Sequence, residues 1–160
     1  TIHIVDKGIV QFSSLVSVGG INLTKAISRA FSVSEDEALK MKSERGFKST
    51  DVEFFSTLLG PISALKDEMH KVIAYWEEHG GSVLNAKGKI DKIILSGGMA
   101  TLIGFQEHLS ADTGKKVETG NVWSNVSSLD KYIPPISFHK SLSFGAAIGL
   151  ALPWPLFDKR

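Results

Sequence analysis

The stretch Ile93-Ile94-Leu95-Ser96-Gly97-Gly98-Met99-Ala100-Thr101-Leu102-Ile103-Gly104-Phe105 decides the fold. An unbroken apolar run, Ile93-Ile94-Leu95, suits a strand covered on both faces, as in a parallel sheet. Ser96-Gly97-Gly98 turns the chain, and the spacing predicts a helix from Gly104 to Ala111 and a short strand at Lys116-Val117-Glu118. This is a βαβ unit. Ligands of open α/β sheets bind outside the carboxyl ends of strands, where glycines let the backbone approach a flat base or a phosphate. A plain strand-to-helix turn is the competing reading. No Gly-Lys-Ser/Thr follows, so the segment is neither a P-loop nor a dinucleotide fingerprint.

Upstream, Ile2-His3-Ile4-Val5 and Ile9 to Val18 flank Asp6-Lys7-Gly8 and predict a hairpin, with Gly8 taking the positive φ of its turn. Gly19-Gly20 ends it, and Leu23, Ala26, Ile27 and Ala30 predict a helix from Asn22 to Phe31, capped by Asn22. A helix N-terminus there could hold an anion, but on physics alone a tight turn plus cap is the favoured reading. Ser34 and Glu37 have the spacing of a capping box, opening a helix that ends before Gly46. Thr50-Asp51-Val52-Glu53 repeats the signal. Gly60-Pro61 predicts an interruption, with Pro61 starting a new helix to Glu78 and Gly80-Gly81 stopping it. Asn85 to Lys89 and Asn121 to Pro135 read as irregular, and Leu142 to Leu150 as an Ala/Gly-rich helix ended by Pro153-Trp154-Pro155. Hairpin, helices, βαβ and a last helix make an α/β layer fold.

The 160 residues correspond to one domain, with 42% apolar and 22% charged residues, near globular averages. Lys+Arg 18 against Asp+Glu 17 leave a net charge of +1. That balance argues against a duplex nucleic-acid binder. With no cysteine, disulfides and thiolate chemistry are excluded. A reducing cytoplasm fits. The start at Thr1 shows no signal-peptide pattern and reads as cut. Gly145 and Gly149 form a GxxxG pair, but the apolar run is shorter than the roughly 20 residues a membrane span needs. Close packing within a soluble protein is the preferred reading. His3, His70, His79, His108 and His139 show no HExxH pattern and read as solvated. Glu35-Asp36-Glu37 are first-turn helix charges. No catalytic set and no metal ligands can be nominated, and Ser96 is not in a Gly-x-Ser-x-Gly elbow.

Together these segments resemble the C-terminal half of the PilM family of type IV pilus assembly proteins, and more distantly FtsA, in the bacterial actin-like ATPase superfamily. The resemblance rests on Ile4-Val5-Asp6-Lys7-Gly8-Ile9-Val10-Gln11-Phe12-Ser13, Val18-Gly19-Gly20-Ile21-Asn22-Leu23-Thr24-Lys25-Ala26-Ile27, Ile93 through Phe105, and Phe144-Gly145-Ala146-Ala147-Ile148-Gly149-Leu150-Ala151-Leu152. It implies that residues 1–160 are one lobe of a two-lobed fold, incomplete at its N-terminus, with ATP and Mg²⁺ between the lobes of the complete protein. Gly97, Gly98 and Met99 would border the base, and Gly19, Gly20, Asn22 and Thr24 would lead into a nucleotide-facing helix. The family's Ala-Glu-x-x-Lys pattern, whose Glu and Lys reach the ribose and base, stands here as Ala38-Leu39-Lys40-Met41-Lys42. Lys42 is kept, but Leu39 has no acceptor for a ribose hydroxyl. Glu37 sits about 200° around the helix from it and cannot substitute. The family has Pro where Ile103 stands.

The resemblance further implies a cytoplasmic scaffold, peripheral to the inner membrane through a PilN-type pilus protein. That partner would be held by the other lobe; self-association is a further expectation. The second phosphate loop, Asp-x-Gly followed by Thr, would precede Thr1, and Asp6-Lys7-Gly8 does not replace it. This chain by itself is therefore expected to bind nucleotide weakly at most and not to hydrolyse it. It is expected to expose apolar surface on its last helix. The alternatives are an FtsA-like division protein and a lobe of an actin-superfamily small-molecule kinase. Pro153-Trp154-Pro155-Leu156-Phe157-Asp158-Lys159-Arg160 is too short and Pro-broken for the FtsA membrane helix, and no carboxylate stands out for a kinase.

Overall fold

The computed structural model describes residues 1–80, 88–126 and 133–152. Its first elements are β1 (Ile2–Asp6) and β2 (Ile9–Ser14), paired antiparallel. Lys7 and Gly8 both have positive φ, 51° and 79°, the requirement of a type I′ turn. So the turn uses Lys7 as well as the expected Gly8, and β2 ends four residues before Val18. Ile4 pairs with Phe12 and Val5 with Val10, which leaves Gln11 as the extra residue of a bulge.

Three helices form the main layer: α1 (Gly20–Phe31), α2 (Glu35–Arg45) and α3 (Val52–His79). Helix α2 has its predicted box: Glu37 N donates to Ser34 Oγ (3.3 Å), and Ser34 N donates to the Glu37 carboxylate (3.0 Å). Two capping expectations are corrected. Helix α1 begins at Gly20, and Asn22 acts from inside it, its Oδ1 accepting from Gly19 N at 2.9 Å. For α3 the cap is Asp51 rather than Thr50: its Oδ1 accepts from Glu53 N and Phe54 N, both at 3.1 Å.

The larger correction is at Pro61, which lies inside α3 and does not start a second helix. Proline removes one backbone donor and crowds the preceding turn. Packing outweighs it. Phe54, Leu58, Ile62, Met69 and Val72 are all buried, and the four-residue steps from 54 to 62 carry one stripe straight through the proline. Each such side chain contributes roughly 1.5–3 kcal/mol on full burial. This stripe meets Leu23 and Ile27 of α1, with Ala38 of α2 completing the core.

The predicted βαβ unit is present as β3 (Lys92–Leu95), α4 (Phe105–Thr113) and β4 (Lys116–Thr119), with the strands parallel and Ile93 opposite Val117. Phe105, Leu109 and Val117 join the same core. Two-sided burial of β3 is corrected: Ile93 and Leu95 are half-buried, but Ile94 is 58% exposed. Strand pair β3–β4 stands alone among the described residues, so only its α4-facing side is covered.

The turn Gly98–Thr101 links β3 to α4. After β4 come α5 (Phe138–Ser141), a 3₁₀ turn at Leu142–Phe144 and α6 (Gly145–Ala151). Leu142 is fully buried, whereas no residue of α6 is, and Leu150 is 88% exposed. An added Cβ on Gly145 would lie 3.2 Å from Ser96 Oγ, while one on Gly149 would meet nothing within 4 Å. Of the GxxxG pair, Gly145 alone packs closely. The expectations on Gly81, on most of Asn85 to Lys89 and on Pro153-Trp154-Pro155 lie outside the described residues.

Candidate functional site

Three separated segments meet at the start of α1. Gly19 is its N-cap and Gly20 its first residue. Lys42, one turn from the end of α2, donates from Nζ to Gly20 O (2.9 Å) and to Thr24 Oγ1 (2.7 Å), and Thr24 Oγ1 itself donates to Gly20 O (3.0 Å). Met99 arrives from the turn after β3: a Cβ built on Gly20 would lie 3.5 Å from Lys42 Nζ and 3.6 Å from Met99 Cγ and Sδ. Gly20, Lys42 and Met99 are thus brought into one corner. A side chain at position 20 would fill the space between the other two.

Partial burial pushes the Lys42 ammonium below its ordinary pKa. The ammonium has three donors, and two are used on α1. A helix N-terminus and an ammonium together make an electropositive corner suited to an anion or to a polar oxygen. Thr24 is buried. Its bond to Lys42 spans 18 positions of sequence, and no local pattern in the sequence announces it.

Gly97 and Gly98 directly precede Met99 in the turn after β3. Gly97 has φ +85°, and a Cβ there would meet nothing within 4 Å; the open backbone suits close approach of a flat ligand. Its N–H donates to Leu142 O at 3.1 Å, and Gly98 faces Ser143 Oγ, 3.6 Å from where a Cβ would stand. The Leu142–Phe144 turn is therefore a wall of the site that sequence reasoning missed. Gly19 likewise has open space beside it. Asp6-Lys7-Gly8 is the tip of the hairpin. Leu39 is 50% exposed, one turn before Lys42.

ATP with Mg²⁺ is the group to test against these residues. The glycine backbone at 97–98 and the Lys42 corner fit its adenosine end. Leu39 supplies no acceptor for the ribose. Among the described residues no group of three His, Asp or Glu could hold a metal ion. The fit is to the adenosine end. Hollows of about 430 Å³ beside Arg45 and Ile103 and of about 290 Å³ between Asn22, Arg29 and Pro61 are not lined by Gly97, Gly98 or Met99.

One histidine expectation is corrected. His108 is half-buried rather than solvated: its ring stacks on Phe47 at 4.6 Å, and desolvation holds its pKa below the ordinary value. His70 Nε2 lies 3.2 Å from Asp112 Oδ2. His3 contacts Ser13 Oγ, and His79 lies on Tyr75.

A family profile described as type IV pilus assembly protein PilM matches residues 1–154. The chain belongs to the PilM family. Its place in type IV pilus assembly follows from that membership. No curated protein matches the chain. The PilM match covers all four stretches that carry the resemblance, and Lys42 as well. No helix among the described residues is long and apolar enough to cross a membrane.

Proposed function

We propose that this PilM-family chain is one lobe of an actin-like, cytoplasmic scaffold for type IV pilus assembly and supplies the adenosine side of its ATP site. The observation that carries the reading is the meeting of Gly20, Lys42 and Met99 from three separate segments. Gly97 and Gly98 give the base a backbone floor. Lys42 holds the start of α1 in place and offers its remaining donor to the ligand. The phosphates and Mg²⁺ lie between the two lobes, and the tail of a PilN-type inner-membrane partner is held by the opposite one. Nucleotide here acts as a structural ligand.

The test is nucleotide binding by the full-length protein, wild type against Leu39→Glu. A restored ribose acceptor contributes about 1 kcal/mol, roughly a fivefold gain in adenine-nucleotide affinity. Unchanged affinity in Leu39→Glu overturns the ribose assignment. Absence of adenine-nucleotide binding in both proteins overturns the site.

A further inference from the structure

The segments bearing Lys42 and Met99 are joined a few residues further on, where the turn Gly46–Lys48 after α2 meets the start of α4. Phe47 N donates to Ile103 O at 2.6 Å. Gly46 lies so close that a Cβ there would stand 2.4 Å from that oxygen. Gly104, at φ +76°, approaches Phe47 to 3.1 Å in the same sense. The Phe47 ring lies nearly parallel to the His108 imidazole, at 18°, and Phe55 of α3 meets that imidazole edge-on at 6.3 Å.

His108 Nε2 is buried and has no hydrogen-bond partner. The charged groups around it pair with one another, although Asp112 Oδ2 is itself buried without a hydrogen-bond partner. From α3, Lys66 pairs with Asp112 and His70 Nε2 reaches the same carboxylate; from the turn, Lys48 pairs with Glu107 at 3.0 Å. Asp112, one turn beyond His108 on α4, is only 18% exposed and holds both α3 groups.

We propose that His108 makes the contact between the Gly46–Lys48 turn and α4 a proton-sensitive joint, closed while the imidazole is neutral and loosened when it is protonated. A neutral imidazole behaves here as a flat aromatic ring. An imidazolium would carry a charge and a second N–H donor into a buried position where Nε2 has no acceptor within hydrogen-bond reach. Attraction to the Phe47 π face favours the charged form, as does Asp112, but the loss of hydration acts first and Lys66 repels. Those two causes, in that order, hold the pKa down, against Asp112.

The direction follows from linkage. The open joint titrates at the ordinary histidine value near 6.5, and the closed joint titrates lower. Closure is therefore complete above that ordinary value and weakens as pH falls from it through the lowered one.

The test is hydrogen exchange on the full chain without nucleotide, so its outcome is independent of the adenosine reading. Protection of the Phe47 amide is compared with that of Leu58 inside α3 as pH falls from about 7.5 to about 5.5. The expected result is a fall in the Phe47-to-Leu58 protection ratio of roughly threefold or more, absent in His108→Phe, which keeps the stack and cannot titrate. A ratio flat with pH in the wild type, or an equal fall in His108→Phe, overturns the proposal. Should His108→Phe not fold, an NMR titration of the wild type decides. His108 titrating below the ordinary range, with the Phe47 amide shift following the same midpoint, supports the joint; a midpoint at or above that range overturns it.

Discussion

Replacing Gly46 with alanine tests the packing that links α2 to the βαβ unit. Gly46 has φ +53° and ψ −148°, a region that is essentially glycine-only and costs another residue about 1–3 kcal/mol. The new Cβ would stand 2.4 Å from Ile103 O, 2.8 Å from Ile103 Cβ and 2.9 Å from Ile103 N. Two of these atoms are backbone, so no side-chain rotation relieves the clash. Displacing a packed segment costs roughly 1–3 kcal/mol. The same movement stretches the bond from Phe47 N to Ile103 O, worth about 1 kcal/mol. The sum is about 5 kcal/mol, a large share of the roughly 5–15 kcal/mol that stabilises a domain. Gly114→Ala is the matched control. Gly114 also has positive φ, +63°, but a Cβ there meets nothing within 4 Å, so its cost is about 1 kcal/mol of backbone strain. Urea denaturation of the full chain followed by circular dichroism measures both. The reasoning is refuted if Gly46→Ala costs no more than Gly114→Ala.

Pro61→Ala restores a backbone donor inside α3 and should raise stability by about 1–3 kcal/mol in the same assay; a loss of stability would show that the proline ring is itself part of the packing. Asp51→Ala should cost about 1 kcal/mol while Thr50→Ala changes little, because Asp51 alone bonds the first amides of α3; equal effects would return the cap to Thr50. Lys116 and Lys92, bonded to Glu118, hold its carboxyl down at about 2. Its stabilising effect is complete above the ordinary carboxyl value of about 4.5 and is lost as pH falls from there towards about 2. Glu118→Gln should therefore flatten the acid side of the stability profile, as should high salt; an unchanged profile removes Glu118 from the balance.

Several features were legible because their causes are local. The capping box of Ser34 and Glu37, the Lys7-Gly8 turn and the strand–glycine–helix–strand order at 93–119 are each set by neighbouring residues. The parallel pairing of β3 with β4 follows from the length of the α4 connection. The meeting of Gly20, Lys42 and Met99 was legible only through resemblance, since hydrogen bonds across 18 and 22 positions leave no periodic trace. The turn Leu142–Phe144 was missed as a wall of the site for the same reason. Its contact with Gly97 runs through a backbone carbonyl, and a carbonyl is common to every residue type.

The amino-acid sequence by itself determined the α/β class, the βαβ unit, the glycine turn beside the candidate site and the resemblance to PilM. Side-chain periodicity and turn chemistry act over a few residues, and a family pattern is a property of sequence. Tertiary structure decided the rest. It carried α3 through Pro61, because an apolar stripe packed on α1 outweighs one missing donor. It left Ile94 exposed, because coverage depends on what lies across the sheet. It half-buried His108 against Phe47 and hid its Nε2, because a ring 61 positions away supplies the covering surface.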